Sequence, residues 1–366
     1  MSAQDLDEAA ARAGQLGCVC GPGESDDGAT GAGLYRLAAG FGLSVLAQAL
    51  TLSVLPEAGR LLAPSAARIG WPFALSLVGA AAASFPAAFL VDAYGRRSAF
   101  ALGASLGVAG GLIASFALAH ENFVALCLGA FWLGLAQGFS LFYRHAAARG
   151  PSAQARGGLV VLAGGAGAAL LAPAIIALGG AFGGGGATTL LCAAALHVAA
   201  LGVAVRLPHT LGGEARAPSG PPTRAFVGAT LAGALAWFVM SSAMLHGPLA
   251  MAVCSASPVF IGGAMAWHLL AMYAPAALAA RWPDFGAPVA WIGAGLLAMI
   301  GGALAVSGAG AALVIAVAML VVGAGWSLVN IGALRLLHDG ARLPRYAFAL
   351  HDVALLVAAT AGALLL

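Results

Sequence analysis

Residues 66–119 read AARIGWPFALSLVGAAAASFPAAFLVDAYGRRSAFALGASLGVAGGLIASFALA, and this stretch decides the fold. It contains two apolar runs, 66–91 and 98–119, separated by a short segment that carries Asp92, Arg96 and Arg97. A helix needs about 20 predominantly apolar residues to cross the hydrocarbon core of a bilayer. The stretch therefore predicts two membrane-spanning helices joined by a tight turn.

The rest of the chain repeats this pattern. Of its 366 residues, 61% are hydrophobic and 8% are charged, and the mean hydropathy is +0.96. This composition excludes a water-soluble protein of this size, and the continuous apolar runs argue against the alternating strands of a membrane barrel. We predict an all-α polytopic protein of the lipid bilayer with about eleven spans, at 33–55, 66–91, 98–119, 122–144, 158–179, 184–205, 225–247, 257–281, 286–307, 310–334 and 345–366.

The distribution of arginine predicts the orientation of these spans. All sixteen basic residues are Arg, and they are scattered singly, which argues against nucleic acid as a partner. With the N-terminus in the cytoplasm, Arg60 and Arg68 fall near the first outer loop. Every inner loop then carries arginine: Arg96, Arg97, Arg144, Arg149, Arg156, Arg206, Arg216, Arg224, Arg281, Arg335, Arg342 and Arg345.

The same reading divides the chain into four parts. Residues 1–32 are acidic and lack an apolar core, which predicts a disordered cytoplasmic tail and no signal peptide. Residues 33–206 form a first half of six helices, and 225–366 form a second half of five. Residues 207–224 are rich in Pro and Gly, which is typical of a flexible linker. The five dispersed cysteines do not indicate a disulfide framework.

The turn between spans two and three resembles the signature motif of the major facilitator superfamily, G-x-L-x-D-R-x-G-R-R. The spacing from Leu90 to Arg97 is kept, but Ala88 replaces the first Gly and Ala93 the first Arg. The resemblance implies the six-plus-six fold of that superfamily, with the twelfth helix missing here. It also implies a gating motif whose charges hold helix ends together: Asp92, Gly95, Arg96 and Arg97.

Methionines cluster in spans seven and eight. Met240 and Met244 are four residues apart and share one helix face. Met265, His268 and Met272 are spaced by three and four, so they share a face of the next span. Met251 is expected in the outer loop between the two spans. We expect the two faces to converge on one cavity in the membrane.

Thioether sulfur and imidazole are ligands that suit copper and discriminate against Mg²⁺ and Ca²⁺. Both are neutral, so they bury no uncompensated anion in lipid, where charge is costly. The clustering therefore predicts a metal pathway. For each residue taken singly, the alternative is that methionine fills gaps in the packing and that a lone histidine is a hydrogen-bonded packing residue or a proton relay.

The segments VMSSAMLHGPLAM (239–251) and AMAWHLLAMYAPA (264–276) resemble the CcoA-like branch of the superfamily, bacterial copper importers that supply haem–copper oxidases. Further similarity covers FYRHAAA (142–148), Gly164–Gly165 and GAGWSL (323–328), although relatives usually have Phe where this chain has His145. The resemblance implies copper import across the bacterial inner membrane, with copper as the transported ion and no cofactor. Its metal ligands would be Met240, Met244, His268 and Met272, with Met265 and Met251 along the path.

Other polar residues leave alternatives open. Asp352 and His351 lie inside span eleven, where an ionisable pair indicates proton coupling. The competing interpretation is an aspartate at the inner helix end, solvated or paired with Arg345. Cys18 and Cys20 in the tail would pass Cu(I) to a cytoplasmic copper chaperone, because paired thiolates are its preferred ligands. Haem–copper oxidase assembly factors are the other partners that we expect.

Two other functions compete with copper import. One is transport of a vitamin or drug-like organic solute through an aromatic cavity near Trp237, Trp267 and Trp326. The other is a non-transporting, metal-sensing membrane scaffold, which the missing helix would favour. An enzyme is not expected, because the sequence brings no nucleophile, base and oxyanion donors together.

Overall fold

The computed structural model describes residues 31–148, 154–181, 185–208, 223–282, 285–338 and 343–365. In these ranges the chain forms α-helices and one short 3-10 helix, Ala66–Arg68, but no strand. The helices are α1 Gly31–Leu62, α2 Trp71–Ala119, α3 Phe123–Ala147, α4 Gln154–Gly164, α5 Ala166–Ala181, α6 Gly185–Ala204, α7 Arg224–Val253, α8 Pro258–Arg281, α9 Pro288–Gly308, α10 Ala312–His338 and α11 Arg345–Leu365. The predicted tail, with Cys18 and Cys20, and the linker from 209 to 222 lie outside the described residues.

Helix α2 is two spans joined at Gly95. Its 49 residues would reach about 74 Å as one straight helix, more than twice the thickness of the hydrocarbon core. Gly95 has φ 80° and ψ 171°, a conformation that side chains with a Cβ rarely adopt. The chain therefore bends sharply at this glycine.

The packing of α2 on α3 proves that this bend is a reversal. The close approaches pair Ser76 with Gly134, Ala80 with Gly138, Phe139 with Gly103, and Leu133 with Gly110. Before Gly95 the paired numbers rise together, so that part of α2 runs parallel to α3. After Gly95 one number falls as the other rises, so the second part runs antiparallel.

The number of spans follows from this reversal. Ten stretches of the described residues are long and apolar enough to cross a membrane when α2 counts once. One of them, Ala155–Ala177, joins α4 to α5. Counting the two parts of α2 separately gives eleven, and the predicted all-α polytopic fold is confirmed.

The two halves of the chain pack on each other through a continuous buried core. Helix α11 lies along both α2 and α7, and α8 lies against α4 and α5. At the second contact the approach is close, because a Cβ on Gly165 would lie 2.7 Å from the ring of Tyr273. Residues from both halves therefore face one another in the interior of the bundle.

The polarity of the bundle is inverted with respect to a soluble protein. Large apolar side chains such as Leu297 and Leu304 are 74% and 69% exposed, whereas Arg144 and Asp352 are 3% and 1% exposed. An apolar exterior suits contact with lipid, and ionisable groups in such a protein face the interior of the bundle. The charged residues of the interior are thus candidates for function.

The Gly134 contact yields a test of the fold. A Cβ on Gly134 would lie 1.9 Å from the carbonyl oxygen of Ser76, whereas nothing lies within 4 Å of a Cβ on Gly301 in α9. We expect Gly134→Ala to lower the free energy of unfolding by about 1–3 kcal/mol. Gly301→Ala is expected to change it little or raise it by up to about 1 kcal/mol. Thermal unfolding of the two purified variants in detergent measures the difference, and equal midpoints would contradict the packing of α2 on α3.

Candidate functional site

The predicted methionines of α7 lie on one stripe of that helix. Met240, Met244 and Met251 are separated by four and seven residues, and Gly247 lies between the last two on the same face. Met240 and Met251 are buried, and Met244 is partly buried against the core. This stripe therefore faces the interior of the bundle and not lipid.

Met251 does not lie in an outer loop, and that expectation was wrong. Helix α7 continues through Pro248 to Val253, and Met251 is fully buried within it. The apolar residues that follow Pro248 extend the helix, because neighbouring helices in a membrane protein compensate for the backbone donor that proline lacks. The stripe is thus one turn longer than the sequence indicated.

Met319 of α10 connects α7 to α8. Its sulfur would lie 2.6 Å from a Cβ placed on Gly247, so the absence of a side chain at Gly247 makes room for it. The carbonyl oxygen of Met319 accepts a hydrogen bond of 2.6 Å from Nδ1 of His268. Sequence reasoning missed Met319, although it is fully buried and shares the soft ligand chemistry of the stripe.

The hydrogen bond that His268 makes leaves one of its ring nitrogens available to bind a metal ion. It is fully buried, and the bond to Met319 assigns the ring hydrogen to Nδ1. Nε2 then carries a lone pair, and it has no hydrogen-bond partner among the described residues. Metal-binding histidines commonly use the other ring nitrogen to donate to a carbonyl or carboxylate. The geometry at His268 matches that arrangement.

The expected convergence of α7 and α8 on one cavity needs correction. The two helices touch each other only over a short stretch, and each packs along α10. Met319 therefore lies between the predicted stripe and His268. Met272 is buried one turn beyond His268, and Met265 is partly buried. No group of three or more His, Cys, Asp or Glu in the described ranges is arranged to hold a metal ion.

An aromatic cluster lies next to these residues. Trp326 meets Trp237 and Tyr273 edge to face, with ring centroids 5.5 and 5.8 Å apart. Both indole nitrogens are buried without a hydrogen-bond partner in the described part of the chain. Trp267, which was expected in the same cavity, is 63% exposed on the outside of α8. Neighbouring residues of an α-helix point about 100° apart around its axis, so Trp267 points away from the core while His268, the next residue, is fully buried.

Asp352 forms a buried ion pair with Arg144 of α3. Both side chains are almost fully buried, and the pair joins the first half of the chain to the second. A solvated Asp352, or one paired with Arg345, is therefore the wrong interpretation. Arg144 is also not the loop residue that its position suggested, because α3 continues to Ala147. The signal that could have found it is a charge enclosed by the apolar residues of FSLFYRHAAA.

Histidines surround this ion pair. Nδ1 of His145 lies 3.1 Å from Nε2 of His338, and Nε2 of His145 lies 3.4 Å from Oδ1 of Asp352. His351, the neighbour of Asp352, is hydrogen-bonded through Nδ1 to the hydroxyl of Thr230 at 2.9 Å. The ring of Phe348 stacks on both His145 and His338. The cluster thus draws on α3, α7, α10 and α11.

The predicted gating motif lies at the turn of α2, on the side of the bundle that carries Arg335 and Arg345, here called the arginine-rich side. Asp92 forms an ion pair with Arg345 at the start of α11. The Asp92 side chain is half exposed, whereas that of Arg345 is largely buried. Arg97 is exposed and Arg96 is partly buried. Asp92 thus joins the two halves through a second ion pair, and the gating role of the motif stays a prediction.

The two ion pairs are expected to differ in their energetic contributions. Replacing either Arg144 or Asp352 by Leu leaves an uncompensated buried charge, so each variant should lose about 3–5 kcal/mol of stability. The double variant, Arg144→Leu with Asp352→Leu, should recover most of that loss. The half-exposed pair of Asp92 and Arg345 should contribute at most about 1 kcal/mol. Thermal unfolding of the single and double variants checks both statements, and purely additive losses at Arg144 and Asp352 would contradict the direct pairing.

Comparison with known proteins adds a family and a relative. The sequence profile of the family described as Sugar (and other) transporter matches residues 26–162. The riboflavin transporter RfnT of Brucella anthropi is 28% identical over 231 residues. That match covers 59% of this chain and 58% of the relative, so the chain spans less than two thirds of the relative's length.

Solved structures with the same arrangement of helices include two transporters. The human organic anion transporter MFSD10 (TETRAN) has a TM-score of 0.69 at 15% identity, over 90% of this chain and 91% of that one. The fucose:proton symporter FucP of E. coli has a TM-score of 0.64 at 13% identity, over 89% and 88%. The chain is a multi-pass membrane protein with the fold of the major facilitator superfamily.

Proposed function

We propose that this chain is a secondary active transporter that imports copper ions across the bacterial inner membrane by alternating access. The fold supports a transporter, because proteins of this superfamily carry substrates at a site between their two halves. Met251, Met244 and Met240 would lead the ion inward along α7. His268 and Met272 would hold it, with Met265 beside them and Met319 as a further ligand.

The observation that carries this proposal is the state of His268. A buried imidazole nitrogen without a partner is costly unless something binds it. Here Nδ1 donates a hydrogen bond to the carbonyl oxygen of Met319, and Nε2 is an acceptor without a partner among the described residues. The same Met319 directs its sulfur toward the methionine stripe. A soft metal ion would satisfy Nε2 and use the thioethers that lie around it.

The proposal assigns a role to each of the remaining predicted residues. The ion pair of Asp92 and Arg345 would hold the halves together on the arginine-rich side, which we propose faces the cytoplasm. Asp352 and His351 would couple proton movement to the exchange between states. A cytoplasmic copper chaperone or haem–copper oxidase assembly factors would accept the ion, and no cofactor is required.

A second candidate is transport of an organic solute, and two observations favour it. The relative described above is named a riboflavin transporter. In addition, the indole nitrogens of Trp237 and Trp326 are buried donors without an acceptor in the described residues. A flat heteroaromatic ring with carbonyl groups would stack on these side chains and accept from both nitrogens.

Copper uptake by intact cells tests the first proposal. His268→Ala or Met272→Ala should reduce accumulation of radioactive copper to the level of cells without the gene, because each removes a ligand. Met319→Leu should lower uptake as well, since it removes the sulfur and keeps the backbone carbonyl. Met299→Leu serves as the matched control, because Met299 is a buried methionine that packs on Gly325 and belongs to α9, which supplies none of the proposed ligands. All variants should be present in the membrane in equal amounts, and normal uptake in His268→Ala would refute the assignment.

Uptake of labelled riboflavin by the same cells separates the second candidate. If the chain moves the vitamin, Trp326→Leu should abolish uptake of riboflavin, and His268→Ala should leave that uptake intact. If the chain moves copper, riboflavin uptake should match that of cells without the gene in every variant. A metal-sensing scaffold would move neither substrate.

A further inference from the structure

A pair of histidines lies on the arginine-rich side, well away from His268. Nδ1 of His145 and Nε2 of His338 are 3.1 Å apart, a distance at which a hydrogen is shared between the two nitrogens. Both side chains are buried. The two rings belong to different halves of the chain, because His145 is on α3 and His338 ends α10.

The pair is held in a fixed geometry from one side. Phe348 of α11 stacks on His145 with ring centroids 4.8 Å apart, and on His338 with centroids 4.6 Å apart. The two imidazole planes are consequently only 35° from one another. The stacking limits how far either ring can tilt out of its plane, and the two nitrogens face each other within this restricted geometry.

The other nitrogen of His145 can be satisfied in two ways. Nε2 lies 3.3 Å from Nε of Arg144, which donates, and 3.4 Å from Oδ1 of Asp352, which accepts. With no hydrogen on Nε2, the nitrogen accepts from Arg144. With a hydrogen on Nε2, it donates to Asp352. The ring can therefore move its hydrogen from Nδ1 to Nε2 and expose a lone pair on Nδ1 at little cost.

We propose that His145 and His338 form a second binding site for a monovalent soft cation, Cu(I), which the ion occupies after the methionine site. The ion would bind Nδ1 of His145 and Nε2 of His338, and the hydrogen between them would move to the other nitrogen of its own ring. His145 then donates through Nε2 to Asp352, the carboxylate–histidine–metal arrangement that stabilises many metal sites. The place of the site in a copper pathway rests on the proposed function, but its chemistry does not.

Charge favours a monovalent ion at this site. Asp352 and Arg144 cancel each other, so Cu(I) gives the cluster a net charge of one, and Zn²⁺ or Cu²⁺ would give it two. Each added charge is expensive in a buried site. The second carboxylate oxygen, Oδ2 of Asp352, is buried and has no hydrogen-bond partner in the described part of the chain. That oxygen can therefore accept a further hydrogen bond.

A small cavity adjoins one ring of the histidine pair. It is lined by His145 together with Arg144, Asn330 and His351. Asn330 lies two turns before His338 on α10, and its side-chain nitrogen donates to the carbonyl oxygen of Trp326, so its amide oxygen is directed away from that bond. The cavity thus reaches His145, one of the two histidines of the pair.

Metal binding to the purified full-length protein tests the proposal. Cu(I) is added anaerobically with ascorbate, bound copper is measured by mass spectrometry, and its ligands are identified by X-ray absorption. In protein that also carries Cys18→Ser and Cys20→Ser, which removes the thiols of the tail, we expect two ions per chain, one with sulfur and nitrogen ligands and one with nitrogen ligands alone. His145→Phe, which keeps the stacking on Phe348, should lose the nitrogen-only ion. His268→Ala with Met272→Ala should lose the sulfur-ligated one.

Control variants distinguish loss of the proposed site from a general effect on the protein. His197→Gln removes a different buried histidine, on α6, and should leave both ions bound. His338→Gln provides a second variant of the pair if His145→Phe lowers the unfolding midpoint. One nitrogen-only ion in the protein with the two serine substitutions alone, lost in His145→Phe, would support this site and count against the methionine site. A single sulfur-ligated ion, unchanged in His145→Phe, would overturn the proposal, as would the binding of no copper at all.

Discussion

Lipid offers no water to a buried charge, and the ion pair of Arg144 with Asp352 is how this protein meets that constraint. The two side chains neutralise each other between α3 and α11, almost fully buried. Because they come from different halves, the halves cannot separate at this point without leaving both charges unpaired in an apolar interior. The alternating access that we propose requires contacts between the halves to break and form again, so it requires this pair to open. His145, whose Nε2 lies 3.4 Å from Oδ1 of Asp352, is the neighbour that can donate to the carboxylate when the pair opens.

The same constraint selects the ligands of the proposed copper site. Thioether and neutral imidazole bring no charge of their own, so the bundle holds them without a compensating partner when no ion is bound. These ligands have to be held in place, and Met319 does so in two ways. Its carbonyl oxygen accepts the hydrogen bond that orients His268, and its sulfur occupies the space beside Gly247. A glycine on α7 and a backbone carbonyl on α10 thus determine the site as much as the ligands do.

The spans of this fold could be predicted from the sequence, and much of the site could not. Hydropathy reports how long an apolar run is, so the number of spans follows from the apolar runs along the chain, and the turn near Gly95 follows from residues 66–119. Hydropathy does not report which way a helix face points. In an all-apolar helix the lipid face and the buried face look alike, so Trp267 was placed inside and proved to be exposed. For the same reason α7 and α8, neighbours in sequence, were expected to meet directly, whereas α10 packs between them. Arg144 was assigned to a loop because the rule for inner arginines cannot distinguish a solvated charge from a buried one that has a partner 208 residues away.

Helix α10 is the element that the two proposed ion sites have in common. Met319 belongs to the first site and His338 to the second, 19 residues further along the helix. In a straight helix these residues are about 28 Å apart, which is close to the thickness of the hydrocarbon core. At the Met319 end α10 is attached to α7 and α8, which belong to its own half. At the His338 end it is attached to His145 of the other half. A rotation of the halves therefore leaves the first site intact and separates the two nitrogens of the second. An ion at the second site would bridge the two halves, and its departure would allow them to separate. This would explain why the ion occupies the methionine site first and the histidine site second.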